Sequence, residues 1–330
     1  MTTKQNKHIE VVISSLSGLN IMSLESCKEV CNVLKDYFTE VGTTIIKKKE
    51  DLEKLVQKKP DLVFSGIKYV GFTKSSLLRD SKNKIWLSEY LDSKGINHTG
   101  SQVGALKLEF DKVLAKKEMQ KNDIKTSPFF VALPGQYKKD VELPIPFPVF
   151  IKPIYEGSGK GVGADSLVTN FEEFEKKVES IYEEFKNPAL VEKYLSGREF
   201  TVGIFDEGNG KKTAMPVEMI AVADSDGNKI LTYKAKKDDD ERLVPVEDSR
   251  EFKRLSTFAK KAFTALGARD YGRIDIRMDG HGDLYFLEAN LLPGLNPRKS
   301  YFIKTCKRNS EISYENILLR IVEIALKRGA

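Results

Sequence analysis

The sequence predicts an α/β protein of two or three lobes, and three observations support that prediction. The chain has 330 residues, which is more than one compact core usually holds. Its N-terminal part alternates short apolar strands with amphipathic helices, the pattern of a βα unit. A proline-rich passage and a glycine-dense loop then separate this part from a second series of strands and helices.

The composition is that of an ordinary soluble globular protein. Hydrophobic residues make up 40% of the chain and charged residues 31%. No apolar run approaches the roughly 20 residues that cross a bilayer, and the apolar run at residues 9–13 is too short for a signal peptide. We therefore expect a cytoplasmic protein without a membrane partner.

Charge and cysteine content argue against two further classes. The formal charge is only +6, and the lysines are spread along helical stretches rather than gathered in one stripe. This distribution favours a solvated surface over a nucleic-acid-binding face. The 3 cysteines are too few for a disulfide framework, and the spacing of Cys27 and Cys31 is typical of packing on one helix face.

Hydrophobic periodicity and breaker residues predict the individual elements. In an N-terminal lobe of residues 1–103, strands are expected at 9–14, 43–46 and 62–64, and helices at 23–41, 50–58 and 86–91. One helix is expected at 103–122, followed by extended or turn structure at 128–148. Further strands are expected at 149–152, 165–168 and 189–192, and further helices at 171–185, 249–266 and 314–328.

The most informative segment is a predicted hairpin at residues 271–290. Two alternating runs flank a four-residue turn at 280–283, and closing the hairpin with Asp279 opposite Leu284 sets the register. Four polar side chains then share one face in two facing pairs: Asp275 with Glu288, and Arg273 with Asn290. The opposite, core-facing side carries Ile274, Ile276, Met278, Tyr285, Leu287 and Ala289.

The polar face of this hairpin has the chemistry of a metal and phosphate site. Facing residues have Cβ atoms about 5 Å apart, and carboxylate and amide oxygens at that spacing suit magnesium. Arg273 beside them would bind a phosphate oxygen and offset negative charge. The alternative is the polar outer face of an ordinary hairpin. The tight loop at 291–297, whose backbone amides can face a ligand, favours the site.

A glycine-dense loop follows a strand that ends in a lysine. Lys152 closes that strand, and four glycines fall within residues 157–163, so that backbone amides can converge on an anion. The loop is not a Walker A motif, and no helix follows it as a dinucleotide fingerprint would require. The strand–loop–strand context predicts a flexible flap over phosphates. The alternative is a mobile surface hairpin.

Residues 189–202 are predicted as a strand, a crossing segment and a second strand. Free backbone groups in the crossing segment can contact an adenine edge, and Glu199 could hold ribose hydroxyls. Taken alone, the segment is equally an inter-lobe connection, so its interpretation depends on its position between the glycine loop and the hairpin.

Five ordered motifs together resemble the ATP-grasp superfamily, most closely the D-alanine–D-alanine ligase group. They lie at residues 147–153, 156–163, 191–202, 271–277 and 286–295. The resemblance implies an ATP-grasp fold with an N-terminal Rossmann-like lobe (1–103), a central lobe (104–195) and a C-terminal lobe (196–330). It also implies that ATP phosphorylates a carboxylate and that an amine attacks the acyl phosphate. It is compatible with a homodimer.

The resemblance also assigns roles to individual residues. Nucleotide phosphates would contact Lys112, Lys152 and the loop residues Glu156, Gly157, Ser158 and Gly159. Adenine would contact Glu192 and the backbone of Lys193 and Leu195, and ribose would contact Glu199. Two magnesium ions would bind Asp275, Glu288 and Asn290. Phosphoryl transfer and the oxyanion would be assisted by Arg273, Lys236 and the Gly294 amide. The candidate substrate residues are Tyr233, in a segment similar to the family's closing loop, and Arg298, Lys299 and Ser300, which replace the family's usual small polar residues.

The N-terminal lobe departs from the D-alanine–D-alanine ligase pattern. In that family, a loop after the first strand carries a glutamate that binds the amino group of the first D-alanine, whereas Ile21 occupies its approximate place here. The usual His-Gly motif is replaced by Ser65 and Gly66. Since an apolar side chain cannot pair with an ammonium group, we predict that D-alanine is not the first substrate.

Arg298 and Lys299 favour an acidic or carboxylate-bearing acceptor. Two alternatives stay open: a true D-alanine–D-alanine ligase with a rebuilt amine site, and a nucleotide-binding module without turnover. The presence of Asp275, Glu288 and Asn290 argues against the module, because a decayed site usually loses metal ligands first. The preferred prediction is an ATP- and magnesium-dependent ligase that joins a small-molecule carboxylate to an amine.

Overall fold

The N-terminal lobe contains a parallel sheet, as the sequence predicts. The structure is a computed structural model, and it describes residues 3–72, 84–157, 159–221 and 241–329. The lobe's elements are β1 (Gln5–Ser14), α1 (Leu24–Tyr37), β2 (Phe38–Ile46), α2 (Lys49–Gln57), β3 (Leu62–Ser65), β4 (Tyr69–Val70), β5 (Ile85–Trp86) and α3 (Leu87–Ser93). Strand β1 lies between β2 and β3, and both pairings are parallel. Helices α1 and α2 supply the crossovers that parallel strands require.

The first helix is shorter than predicted. Ser23 caps α1 by accepting a hydrogen bond from Ser26 N, and the helix ends at Tyr37 rather than near residue 41. Phe38, predicted as part of the helix, instead begins β2 and pairs with Gln5 of β1. Because an apolar side chain fits either period at this junction, the pairing of β2 with β1 decides the outcome.

The predicted helix at 103–122 is two helices, α4 (Val103–Phe110) and α5 (Lys112–Lys121). Asp111 interrupts them with extended backbone angles, and its side chain accepts a hydrogen bond from Leu114 N at 2.9 Å. Aspartate is a favoured N-cap residue, so Asp111 ends one helix and starts the next. The break directs Lys112 and Lys116 of α5 toward the interior.

The central sheet is antiparallel and has the order β6-β9-β7-β8. Its elements are β6 (Phe129–Ala132), β7 (Val149–Pro153), β8 (Leu167–Val168), β9 (Ala189–Lys193) and the covering helix α6 (Phe171–Phe185). The proline-rich passage thus contains an edge strand, β6, which pairs with β9. Ile151, Val178 and Val191 belong to one buried apolar cluster between the sheet and α6.

The C-terminal sheet is antiparallel and has the order β12-β11-β10-β13-β14. Its elements are β10 (Glu199–Asp206), β11 (Lys212–Ile220), β12 (Arg242–Pro245), α7 (Ser249–Ala265), β13 (Tyr271–Met278), β14 (Leu284–Asn290), α8 (Tyr301–Asn309) and α9 (Tyr314–Arg328). The sequence did not predict α8. Each predicted lobe contains one of the three larger sheets, and the lobe boundaries themselves stay a prediction.

The last helix joins the N-terminal lobe to the C-terminal sheet. Arg328 on α9 donates hydrogen bonds to both oxygens of Asp270, at 3.0 and 2.9 Å, and to the His98 carbonyl at 2.7 Å. Asp270 also accepts from Gly100 N at 2.8 Å. These contacts place the strand β13 beside the N-terminal lobe, so that the lobe forms one wall of the cleft described below.

Candidate active site

Two adjoining cavities lie between the sheets. The intersheet cavity is bounded by β7, β9 and the β13–β14 hairpin, and the loop cavity by the N-terminal lobe and the segment after β14. Both are lined by Lys112, Glu156 and Glu288. The intersheet cavity also contains the predicted residues Lys152, Gly159, Glu192, Lys193, Leu195, Glu199 and Asp275. The loop cavity also contains the predicted residues Gly157, Arg273, Asn290, Gly294, Lys299 and Ser300.

Four predicted residues are not among those lining residues. Arg298 is exposed, and neither cavity includes it. Ser158, Tyr233 and Lys236 lie outside the described residues. All other predicted site residues line at least one of the two cavities, although they come from four separate parts of the chain.

The paired charges of the hairpin are as the sequence predicts. Asp275 lies opposite Glu288, and Arg273 lies opposite Asn290. Arg273 Nε and Nη2 each donate to one oxygen of Asp275 at 2.9 Å, and Thr201 Oγ1 donates to Asp275 Oδ1 at 2.6 Å. Burial alone would lower the pKa of Arg273, but the Asp275 carboxylate outweighs burial and raises it. The guanidinium is therefore held charged and fixed at the cavity wall.

The hairpin register near the turn was predicted wrongly. Met278, not Asp279, lies opposite Leu284, and a bulge between the two halves of the hairpin restores the pairing of Asp275 with Glu288. The extra residue is Leu287, which lines the intersheet cavity instead of facing the core. Phe286 takes the core position and is fully buried, while Tyr285 is only half-buried. A bulge inserts one unpaired residue, so strict alternation cannot predict it.

A buried cluster of charges forms the floor of the intersheet cavity. Glu192 is ion-paired with Lys116 at 2.5 Å through one oxygen and with Lys152 at 2.6 Å through the other, and it also accepts from Ser127 Oγ at 3.0 Å. Burial alone would raise the pKa of Glu192, but the charges of Lys116 and Lys152 outweigh it and lower the pKa to about 2. The Glu192 carboxylate is thus committed to lysines, so an adenine contact through that group would compete with them.

Sequence reasoning missed Lys116, whose side chain is 0% exposed. A signal was present, because Lys116 lies on the face of α5 that also buries Lys112, Ala115 and Met119. A charged residue inside an apolar helical stripe indicates a buried ion pair or a site. For Lys152, burial alone would lower the pKa, but the charge of Glu192 outweighs burial and raises it, so the ammonium stays charged.

Lys112 is held by the glycine loop. Its Nζ donates to the carbonyl of Ile154 at 3.3 Å and to the carbonyl of Glu156. Gly159 and Gly161 have positive φ angles of 76° and 73°, which glycine adopts without strain. The loop therefore brings a lysine and tightly turned backbone to the boundary of the two cavities.

A second ion pair, between β10 and β13, lies beside the crossing segment after β9, and the sequence did not indicate it. Arg277 Nη1 donates to Glu199 Oε2 at 2.9 Å, and the Arg277 guanidinium lies 5.4 Å from the Tyr194 ring centroid. The N–H of Lys193 donates to the Pro128 carbonyl at 2.9 Å, so that N–H is not available for an adenine edge. A backbone contact from Lys193 would have to use its carbonyl.

The segment after β14 brings its backbone close to the N-terminal lobe. A Cβ added to Gly294 would lie 2.6 Å from the Ile21 carbonyl oxygen, so only glycine fits at this approach. Ser300 Oγ donates to the Gly294 carbonyl and also accepts from Ile303 N as the N-cap of α8. Leu19 and Ile21 line the facing wall of the loop cavity.

The donor set of the hairpin fits magnesium, although no group of three His, Cys, Asp or Glu side chains suitable for a metal occurs within the described ranges. Asp275 and Glu288 are paired across the ladder, and Asn290 lies two residues beyond Glu288 on β14. Two carboxylates and one carboxamide supply only oxygen, the donor that magnesium prefers when phosphate and water complete the shell.

Comparisons with known proteins show which family the chain belongs to. Residues 119–323 match the family model for the D-ala D-ala ligase C-terminus. The D-alanine–D-alanine ligase of Paraburkholderia phymatum is 31% identical over 249 residues, 72% of this chain and 74% of that protein. The ligase of Geobacter sulfurreducens is 29% identical over 235 residues, 70% of each chain.

A solved structure shows the same fold. The D-alanine–D-alanine ligase from Bacillus anthracis, crystallised in complex with ATP, superposes with a TM-score of 0.75 over 98% of both chains, at 23% identity. Fold and cleft together define an ATP-dependent carbon–nitrogen ligase with the ATP-grasp architecture, as predicted. The chain belongs to the D-alanine–D-alanine ligase family. Among the described residues, no helix has the length and apolar character to cross a membrane.

Proposed function

We propose that this enzyme uses ATP and magnesium to activate the carboxyl group of a substrate other than D-alanine and joins it to an amine. One observation carries the proposal: the Arg273–Asp275 pair, Glu288 and Asn290 share one face of a rigid hairpin, beside Lys112 and the glycine loop. Phosphoryl transfer depends on positioning and charge neutralisation rather than on a protein nucleophile.

Positive charge converges from two directions in this arrangement. Lys152 and Lys112 approach from the central lobe, and Arg273 approaches from the C-terminal sheet. Preorganised cations of this kind stabilise the charge that develops on a transferring phosphoryl group. Asp275, Glu288 and Asn290 would hold magnesium, which when bound would neutralise phosphate oxygens.

The reaction has two balanced steps. A carboxylate oxygen of the first substrate attacks the γ-phosphorus of ATP, the bond to the β,γ-bridging oxygen breaks, and ADP leaves with that electron pair. The unprotonated amine of the second substrate then attacks the acyl carbon, inorganic phosphate leaves, and the nitrogen loses one proton. Arg273 is close enough to the Asp275–Glu288 pair to stabilise charge on the phosphoryl group in both steps, and the Gly294 amide would face the oxyanion.

The wall of the loop cavity supports a substrate that differs from that of the named relatives. Leu19 and Ile21 line it, and neither side chain can pair with an ammonium group. Lys299 also lines this cavity and adds a positive charge beside the entrance. These features favour an amino-acid-like compound or peptide with a carboxylate at the lysine side.

Incubation with ATP, magnesium and pooled metabolites, followed by mass spectrometry of the products, tests the proposal. A new amide product formed together with ADP and inorganic phosphate is the expected result. Efficient formation of D-alanyl-D-alanine at low Michaelis constants would overturn the substrate assignment and leave the ligase. Phosphate release that no amine or carboxylate stimulates would overturn the ligase assignment itself.

A further inference from the structure

One corner of the intersheet cavity combines a guanidinium group, a carboxylate and an aromatic ring. Arg277 on β13 lies directly opposite Glu199 on β10, and Arg277 Nη1 donates to Glu199 Oε2 at 2.9 Å. The same guanidinium lies 5.4 Å from the Tyr194 ring centroid, and its Nη2 lies 3.5 Å from the Tyr194 hydroxyl. All three side chains line the cavity, so the corner presents polar groups to a ligand that occupies it.

The ion pair between Arg277 and Glu199 is nearly buried. The Arg277 side chain is 10% exposed and the Glu199 side chain is 14% exposed. Salt screens a pair of this kind much less than a surface pair, and either charge left alone in such a place would be costly. Each group therefore holds the other in one orientation, and Arg277 fixes the direction of the Glu199 carboxylate.

Arg277 joins two parts of the cavity wall. The carbonyl of Met278, the next residue of β13, accepts from Gly197 N at 3.0 Å, which ties the crossing segment to β13 beside Arg277. Tyr194 belongs to that crossing segment, whereas Glu199 begins β10. One guanidinium therefore contacts both the segment that enters from the central sheet and the first residue of the C-terminal sheet.

The position of Arg277 on β13 separates it from the phosphate side of the cleft. Arg273, Asp275 and Arg277 follow one another at two-residue intervals, so they share one face of the strand, and about 13 Å of strand separates the first from the last. Arg273 lines the loop cavity, whereas Arg277 lines the intersheet cavity together with Lys193 and Leu195. Arg277 therefore lies at the end of the cleft predicted for the nucleoside.

We propose that Arg277 is a positioning residue that directs the Glu199 carboxylate toward the ribose of ATP and thereby sets a preference for ribonucleotides over deoxynucleotides. The proposal rests on the ribose contact predicted for Glu199 and on the use of ATP in the function proposed above. A carboxylate accepts strongly from a sugar hydroxyl only when its oxygen is aimed at that hydroxyl. The guanidinium also offsets a negative charge that would otherwise repel the triphosphate.

Direct nucleotide binding tests this inference without knowledge of the ligase substrates. Isothermal titration calorimetry of the full chain in the presence of magnesium gives the Kd of ATP, 2′-deoxyATP and 3′-deoxyATP. For the wild type, we expect ATP to bind about 10-fold more tightly than at least one deoxy analogue, the value of one hydrogen bond to a charged group.

Arg277→Met removes the guanidinium and keeps an unbranched side chain. We expect the Kd of ATP to rise about 10-fold and the Kd of the disfavoured deoxy analogue to rise less, so that the preference is lost. Arg277→Lys retains the positive charge and should restore part of the preference. The matched control is Arg198→Met, which removes an exposed guanidinium that lies 2.7 Å from Glu218. This control is expected to keep the wild-type preference.

Two outcomes would contradict the role of Arg277. If Arg277→Met keeps the wild-type preference, or weakens ATP and both analogues by the same factor, Arg277 does not act through the ribose. If the wild type binds ATP and both analogues equally, the corner does not distinguish ribose hydroxyls. ATP binding without any amide product would overturn the proposed ligase function alone, whereas a wild type that does not bind ATP would overturn both.

Discussion

The two cavities differ in how completely their buried charges are paired. In the intersheet cavity, Glu192 has a lysine on each oxygen, and Asp275 has a donor from Arg273 on each oxygen. In the loop cavity, Glu109 has one oxygen paired and the other without a described partner. A satisfied network holds its groups in place before any ligand arrives, whereas an unsatisfied buried acceptor costs free energy. The intersheet cavity, which we propose as the nucleotide side, is thus preorganised, and the loop cavity is less completely paired.

The largest effect is expected from breaking the paired hairpin on the preorganised side. Asp275→Asn preserves shape but removes the charge that holds Arg273. We expect ATP-dependent phosphate release to fall by about 10²- to 10³-fold, as for loss of one preorganised charge-stabilising group. Initial rates across a magnesium titration provide the measurement.

Asp279→Asn is the matched control for that variant. Asp279 lies at the hairpin tip, where it accepts hydrogen bonds from His281 N and Asp283 N, both at 2.9 Å. It is expected to keep the wild-type rate. If Asp275→Asn is as active as this control, the metal assignment fails.

A second variant breaks the lysine–glutamate cluster. Lys116→Met removes one of the two lysine partners of Glu192, and loss of one member of a buried pair costs about 3–5 kcal/mol. Urea unfolding measures the free energy of unfolding of the variant and of the wild type. As a control, Lys176 pairs with Glu172 at 2.6 Å on the exposed face of α6, and Lys176→Met should cause no measurable loss. If the two variants lose the same free energy of unfolding, burial does not strengthen the ion pair between Lys116 and Glu192.

Acid titration sharpens the same comparison. The pKa of Glu192 is lowered from 4.5 to about 2 in the folded protein, so the carboxylate form stabilises the fold above about pH 4.5. That stabilisation, about 3 kcal/mol, is lost as the pH falls from about 4.5 toward 2. Urea unfolding in this window should show the loss in the wild type and a weaker pH dependence in Glu192→Gln. Identical slopes would contradict the lowered pKa.

The smallest effect concerns the segment on the substrate side. Ser300 caps α8, and Ser313 caps α9 in the same way by accepting from Asn316 N. Replacement of either serine by alanine should cost about 1 kcal/mol of stability in urea unfolding. Only Ser300→Ala should also lower kcat/KM, because Ser300 Oγ contacts the Gly294 carbonyl. If both variants retain full activity, Ser300 is a helix cap and nothing more.

The facing charges of the hairpin could be predicted because a two-residue period and hydrophobic alternation define them. Asp275 and Glu288 were placed correctly, yet the register at Leu284 was wrong by one residue. A bulge between these two positions explains why one pairing is right and the other is wrong. The bulge becomes evident only in the folded protein, where Phe286 packs in the core. Sequence alternation carries no information about a residue that lies outside the ladder.

Element boundaries and buried charges were harder to predict. Phe38 fits a helix and a strand equally well, and the pairing with β1 decides between them. Helix α8 was missed: Ser300 is interpreted from the sequence as a substrate residue, whereas in the structure it is the N-cap of that helix. Lys116 and Arg277 depend on partners far along the chain, Glu192 and Glu199, which no local pattern specifies.

The bulge at Leu287 divides the hairpin into a tip and a base that pair in different registers. Residues added at 279–283 would lengthen the tip, while the base keeps its own ladder between Arg273 and Asn290. The tip is therefore a natural attachment point for a fluorophore or an affinity tag, which would report on the enzyme without entering the chemistry.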